Sequence, residues 1–181
     1  MTNREFFIHC WEDEYPVFLK VIEAAPADRL DYRPCPTSRS AADLIWLQVV
    51  EKRCWFELLD TGRITWKIGP ATLSRNEMIA AYTRAHEELA PLLKKLDDQT
   101  WNEKLTQFVV DGQVCYETVM GHMFWMGFFD AIHHRGQLST YIRPMGGKVP
   151  AIYGPSADDE HDLHQPLLRL EEWVALPLVA H

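Results

Sequence analysis

Cysteine is scarce and scattered in this sequence: Cys10, Cys35, Cys54 and Cys115 stand far apart, and no Cys-x-x-Cys occurs. That spacing offers neither a zinc ribbon nor a redox dithiol. Four separate thiols in 181 residues point to a reducing compartment, the cytoplasm. Basic residues are also few, 18 Lys and Arg against 26 Asp and Glu, with no cluster longer than Lys94-Lys95. A chain with a net charge of −8 and no positive footprint is not expected to bind nucleic acid. The opening residues, Met-Thr-Asn-Arg-Glu-Phe-Phe, lack the apolar run of a secretory leader. Residues 119–132 are mostly apolar but contain His122 and Asp130, and the run falls short of the roughly 18 residues a membrane span requires. No Gly-rich phosphate loop, dinucleotide fingerprint or Ser-His-Asp motif is present. Nucleic acid and membrane are therefore set aside as partners.

What the chain does contain is helical periodicity. Its composition, 47% hydrophobic, supports a core without staples, and its length suits one domain over residues 1–181. A first helix is expected over about residues 3–25, kinked or divided by Pro16. Ser40 with Asp43 forms a variant capping box that opens a second helix to about Asp60. Ser74 with Glu77 opens a third, to about Leu96, which Pro91 could bend. Residues 97–115 alternate around Asp111-Gly112 as a hairpin would, but are read as an ordered crossover. The last long helix is expected from about Tyr116 to Arg143, stopped by Pro144. A loop rich in Gly, Pro, Ser and Asp follows over 146–160, and residues 163–174 suit one short amphipathic helix. The sum is an all-α fold, a four-helix bundle with a short extra C-terminal helix.

Within the last helix, Asp130 and His134 lie one turn apart on a stripe that is otherwise mostly apolar. On an ideal wheel Met123, Met126, Gly127, His134, Gln137, Leu138 and Tyr141 all fall within about 80° of Asp130. An acid and an imidazole facing a core are costly unless they are paired or hold an ion. The i,i+4 spacing lets one helix face offer two ligands to one metal, and it equally suits a buried hydrogen-bonded pair. On the opposite side, Trp125, Phe128, Phe129 and Ile132 need a second cover, either the tail or a partner subunit, and a homodimer is expected.

The run Asp130-Ala-Ile-His133-His134-Arg135-Gly136-Gln137, continuing through Tyr141, Arg143 and Gly146 to Val149-Pro150, resembles the signature of the DinB/YfiT-like superfamily of metal-dependent hydrolases. Upstream, Ser38-Arg39-Ser40-Ala41-Ala42-Asp43-Leu44-Ile45-Trp46 is similar to the start of that family's second helix. The resemblance implies a DinB-like helical bundle. It also implies a site where three histidines, one from the second helix and two from the last, hold a divalent ion, usually nickel or zinc. Here His134 matches the last ligand and Asp130 stands in the middle one's place, where a carboxylate can serve. The second-helix position falls on Leu47, which cannot coordinate, or with a one-residue shift on Gln48. Glu51, one turn further on the face of Leu44, Leu47 and Cys54, could complete an Asp130–His134–Glu51 site or pair with a basic residue.

Around these, Gln137 and Tyr141 are expected beside the site, orienting a ligand or satisfying each other. His133 lies about 60° off the stripe and is read as a flank residue. Arg135 is expected to fix the loop that follows, and Tyr153 either packs or covers the site. Cys54 could approach His134 as a nucleophile, although a packed thiol is the commoner role. The resemblance implies one of two activities, a hydrolase using water or an S-transferase using a low-molecular-weight thiol. The alternative is a metal-free, non-enzymatic family member serving as a dimeric binding or interaction module.

Overall fold

The computed structural model describes residues 1–159; the short helix expected over 163–174 lies outside them. The fold is mostly helical but not all-α, because a three-stranded sheet joins the helices. In chain order the elements are α1 (Asn3–Ala24), α2 (Ala41–Thr61), β1 (Arg63–Trp66), α3 (Arg75–Lys95), α4 (Asp98–Glu103), β2 (Leu105–Val110), β3 (Gln113–Val119) and α5 (Met120–Ile142). No helix among the described residues is long and apolar enough to cross a membrane.

Three of the long helices begin on reciprocal caps that satisfy the backbone N–H groups left over at a helix start. Thr2 with Glu5, Ser40 with Asp43, and Ser74 with Glu77 each supply one. At Gly62, φ +75° takes the left-handed conformation that closes α2, and its N–H bonds the Leu58 carbonyl. Pro16 does not divide α1, which runs as one helix from Asn3 to Ala24. A proline there removes one intrahelical bond, and burial of Trp11, Phe18, Val21 and Ile22 on either side holds the helix together.

α2 packs against α3 and α5, and α1 packs against the same two helices from the other side. Phe7, Trp55, Trp101 and Phe124 meet between them, with Trp101 stacked on Phe124 at 5.4 Å between ring centroids. Each buried phenylalanine contributes about 2–3 kcal/mol by leaving water. Gly121 admits the Trp101 ring, since a Cβ there would lie 2.3 Å from it. The short helix α4, which carries Trp101, has no counterpart in the expected element list.

Residues 97–115 form no simple crossover. β2 and β3 are an antiparallel hairpin whose turn places Asp111 at φ 49° and Gly112 at φ 78°, the two positive angles that a tight primed turn requires. β3 runs directly into α5, which therefore starts at Met120 and not Tyr116: Tyr116 to Val119 pair with Phe108 to Leu105. β1 adds to the outer side of β2 in parallel, matching Arg63 to Gln107. The sheet caps the end of the helices where α2 finishes and α5 begins.

α1 covers part of the far side of α5: Phe7 meets Trp125 and Phe128 edge-on. Phe129, Phe6 and Met126 stay exposed. The loop after α5 is fixed by Arg135, buried between Glu14 and the Tyr153 hydroxyl, and by Arg143 on Asp158 at 2.7 Å. Tyr153 is thus placed against α1, and it does not line the cleft described next.

Candidate metal centre

α2 and α5 run antiparallel, so Glu51 comes opposite Asp130 and His134 while Trp55 comes opposite Phe124 and Gly127. Helical spacing does the rest, since positions 130 and 134 share a face. His134 Nε2 lies 3.4 Å from Asp130 Oδ2 and 3.9 Å from Glu51 Oε1. One ligand atom from each of the three lies within 4.8 Å of the others. An ion bonded at about 2.1 Å to tetrahedrally arranged ligands sets them about 3.4 Å apart. Glu51, Asp130 and His134 are therefore close to the spacing that one ion would need.

The electrostatics point the same way. Glu51 is 5% exposed, and neither carboxylate oxygen has a hydrogen-bond partner among the described residues. Burial first, and the facing Asp130 carboxylate second, hold its pKa well above the ordinary glutamate value. A buried carboxyl without donors costs stability unless something else satisfies it. Asp130 is lower than usual, chiefly through its hydrogen bond from His134, which outweighs partial burial. For His134 burial disfavours the imidazolium, but bonds to Asp130 and Gln137 prevail and raise it.

Gln137 Oε1 lies 2.9 Å from His134 Nδ1, and an amide oxygen only accepts. Nδ1 therefore donates to Gln137, and Nε2 faces the two carboxylates, donating to Asp130 in the imidazolium form and offering its lone pair to an ion once that proton leaves. This is the orientation that outer hydrogen bonds impose on ligating histidines. Gln137 was expected beside the site, and its contact is through His134.

The other sequence candidates divide. Leu47, Cys54 and His133 line the cleft beside the three carboxylate and imidazole groups. Gln48 does not; its Nε2 donates to the Leu44 carbonyl at 3.2 Å, and Oε1 has no partner among the described residues. Tyr141 is buried edge-on against Tyr32 at 5.6 Å and also stands off the cleft. It falls on the right side of the wheel, but one further turn carries it into the core. The Cys54 thiol is pushed up to about 11 by burial and by Glu57 and Glu51, which removes it as a ready nucleophile.

Two features escaped the sequence reading. Arg39 stands at the exposed rim of the cleft, close enough to Glu51 and His134 to act on both electrostatically. On the other side of α2, Lys52 Nζ lies 2.9 Å from His86 Nδ1, and His86 Nε2 reaches Glu12 at 3.1 Å. His86 looked isolated in sequence because its partners come from two other helices. No local motif announces either arrangement.

The family model for the DinB family matches residues 1–167. The crystal structure of a DinB-like protein, YjoA from Bacillus subtilis, superposes with a TM-score of 0.63 at 18% identity, covering 82% of this chain and 98% of that one. That likeness speaks to the fold. Among curated proteins, none matches.

Proposed function

The chain belongs to the DinB family, and from that premise we propose that it is a divalent-metal-dependent enzyme acting on a small molecule, as a hydrolase or a thiol S-transferase. The reading rests on one observation: Glu51, a buried carboxyl with both oxygens unpartnered, sits within ligand distance of Asp130 and His134. Two carboxylates and one imidazole replace the histidine set that the family resemblance implies. Oxygen donors favour harder ions, and imidazole favours zinc and its neighbours, so zinc or manganese suits this set as well as nickel. Such an ion, when bound, supplies Lewis acidity and lowers the pKa of a water or thiol brought to it.

The chain's own contribution is positional. Asp130 and His134 are held on one rigid helix face, and Gln137 fixes the imidazole with Nε2 inward. Leu47, Trp55 and Met123 wall the cleft and limit water. With the Cys54 thiol pushed up by burial and by Glu57 and Glu51, this reading takes the attacking group from outside the protein. Water makes the reaction a hydrolysis and a second small molecule bearing a thiol makes it a transfer. The exposed Phe6, packed on Trp125 on the far side of α5, supports a homodimer as the assembled form.

The test is elemental analysis of protein purified without a histidine tag, followed by thermal melts with added zinc, manganese or nickel. An ion at 100 times its dissociation constant is expected to add about 2.7 kcal/mol. His134→Ala is expected to remove that gain. Absence of both metal and gain would leave the metal-free interaction module as the better account. Sedimentation at tens of micromolar checks the dimer, which a monomer would rule out.

A further inference from the structure

The candidate ligands occupy one end of a cleft of about 740 Å³, a size suited to a small organic ligand. The other end has a different character. From Asp130 back to Met123, α5 spans about 10 Å, and along that length the walls become apolar and aromatic. Trp55, Trp66, Phe108, Tyr116, Met123 and Phe129 line it, drawn from α2, all three strands and α5. The sheet, of which the sequence signalled only the β2–β3 turn, thus supplies three of those aromatic rings.

At the polar end Glu51 and Asp130 together match the charge of a divalent ion. Arg39 then stands at the rim with no hydrogen bond or close ion pair among the described residues, acting on Glu51 and His134 only through space. A guanidinium presents paired N–H donors that fit a carboxylate. Planar rings prefer aromatic walls with tilted or edge contacts.

We propose that the cleft takes an aryl-bearing monocarboxylate, with its carboxylate beside Arg39 and its ring among Trp66, Phe108 and Phe129. This substrate class rests on the reading of Glu51, Asp130 and His134 as a metal centre. The occupant lies across the cleft with the bond next to its acid group nearest the ligands.

Three matched probes test it: phenylbutyrate, phenylbutanol and phenylbutylamine, titrated against tryptophan fluorescence with and without zinc. Zinc uptake is measured separately by equilibrium dialysis. In zinc-loaded protein, phenylbutyrate is expected to bind at least tenfold more tightly than the alcohol, and the amine weakest. Arg39→Gln is expected to abolish the acid's advantage while leaving phenylbutanol unchanged. Phe108→Ala is expected to weaken all three, with the fold checked by circular dichroism. Equal binding of acid and alcohol, or tightest binding of the amine, overturns the proposal. Uptake of zinc together with such an outcome refutes the carboxylate and leaves the metal centre standing. Failure to take up zinc, with an acid preference that Arg39→Gln removes, refutes the metal centre and leaves the carboxylate pocket standing.

Discussion

Glu51 and Lys52 are neighbours on α2, each 5% exposed, and their surroundings differ in kind. Lys52 sits in a closed polar chain. Its Nζ donates to His86, lies 4.4 Å from the Trp11 ring and 4.3 Å from the Tyr82 ring, and His86 passes the chain on to Glu12. His86 is itself stacked between Trp11 and Tyr15 at 3.9 and 3.8 Å. Glu51 faces the cleft with neither oxygen partnered. Lys52 is given a partner by the protein, although burial still pulls its pKa well below the ordinary lysine value, whereas Glu51 is left facing the cleft. The difference separates a structural burial from a functional one better than burial itself does.

The largest expected effect breaks the closed side. Lys52→Ala leaves a cavity among aromatic rings and deprives His86 Nδ1 of its donor. A loss of about 4 kcal/mol in urea unfolding is expected. Lys52→Met restores the volume but still leaves His86 Nδ1 without its donor, so it should recover only the cavity part of the loss. If Lys52→Ala unfolds at the wild-type midpoint, the polar chain has no structural weight and the contrast with Glu51 fails.

The second effect is a pH dependence on that same side. Burial and then Lys52 depress His86 to about 4 from its ordinary 6.5. As the pH falls below 6.5, the unfolded chain takes up a proton at His86 before the folded one does. Stability present above pH 6.5 is therefore lost as the pH falls toward 4, by about 3 kcal/mol in all. Urea midpoints at several pH values, compared between wild type and His86→Gln, isolate the contribution of His86. Parallel curves for the two proteins would count against it.

The third acts on the open side and has the opposite sign. Glu51→Leu replaces a buried, donorless carboxyl by an apolar group of similar size. The metal-free protein is expected to gain about 2 kcal/mol and to lose its response to zinc. A loss of stability on this substitution would show that Glu51 has a partner within the fold, and would remove the reason to assign it a ligand.

Parts of this contrast were legible in the sequence and parts were not. The capping boxes at Ser40 and Ser74 and the Asp130–His134 stripe are local patterns, and local patterns survive folding. Glu51 was reachable because it shares a helix face with Leu47. β1 was not: four residues pair in parallel with a strand more than forty positions later, a contact that nothing nearby encodes. The β2–β3 hairpin had its signal in Asp111-Gly112 and was set aside in favour of a crossover. Lys52, His86 and Glu12 lie on three different helices, so their chain arises only from tertiary packing. Arg39 escaped for a related reason, since a rim residue before a helix carries no periodicity.

The smallest expected effect sharpens the open side at its edge. Gln137 does not line the cleft, and among the described residues its side chain reaches the candidate ligands through the 2.9 Å bond to His134 Nδ1. If that bond orients the imidazole, Gln137→Ala lowers zinc affinity about tenfold, or about 1.4 kcal/mol, without changing the stability of the metal-free protein. Gln137→Glu keeps an acceptor in place and should hold or improve affinity, because a carboxylate accepts the Nδ1 proton more strongly. A merely structural residue would behave otherwise: Gln137→Ala would shift the metal-free melt and leave affinity alone. Competition against a chromogenic chelator reads affinity directly and separates the two outcomes. The helix that fixes Asp130 and His134 then also carries, three residues further on, the group that aims one of them.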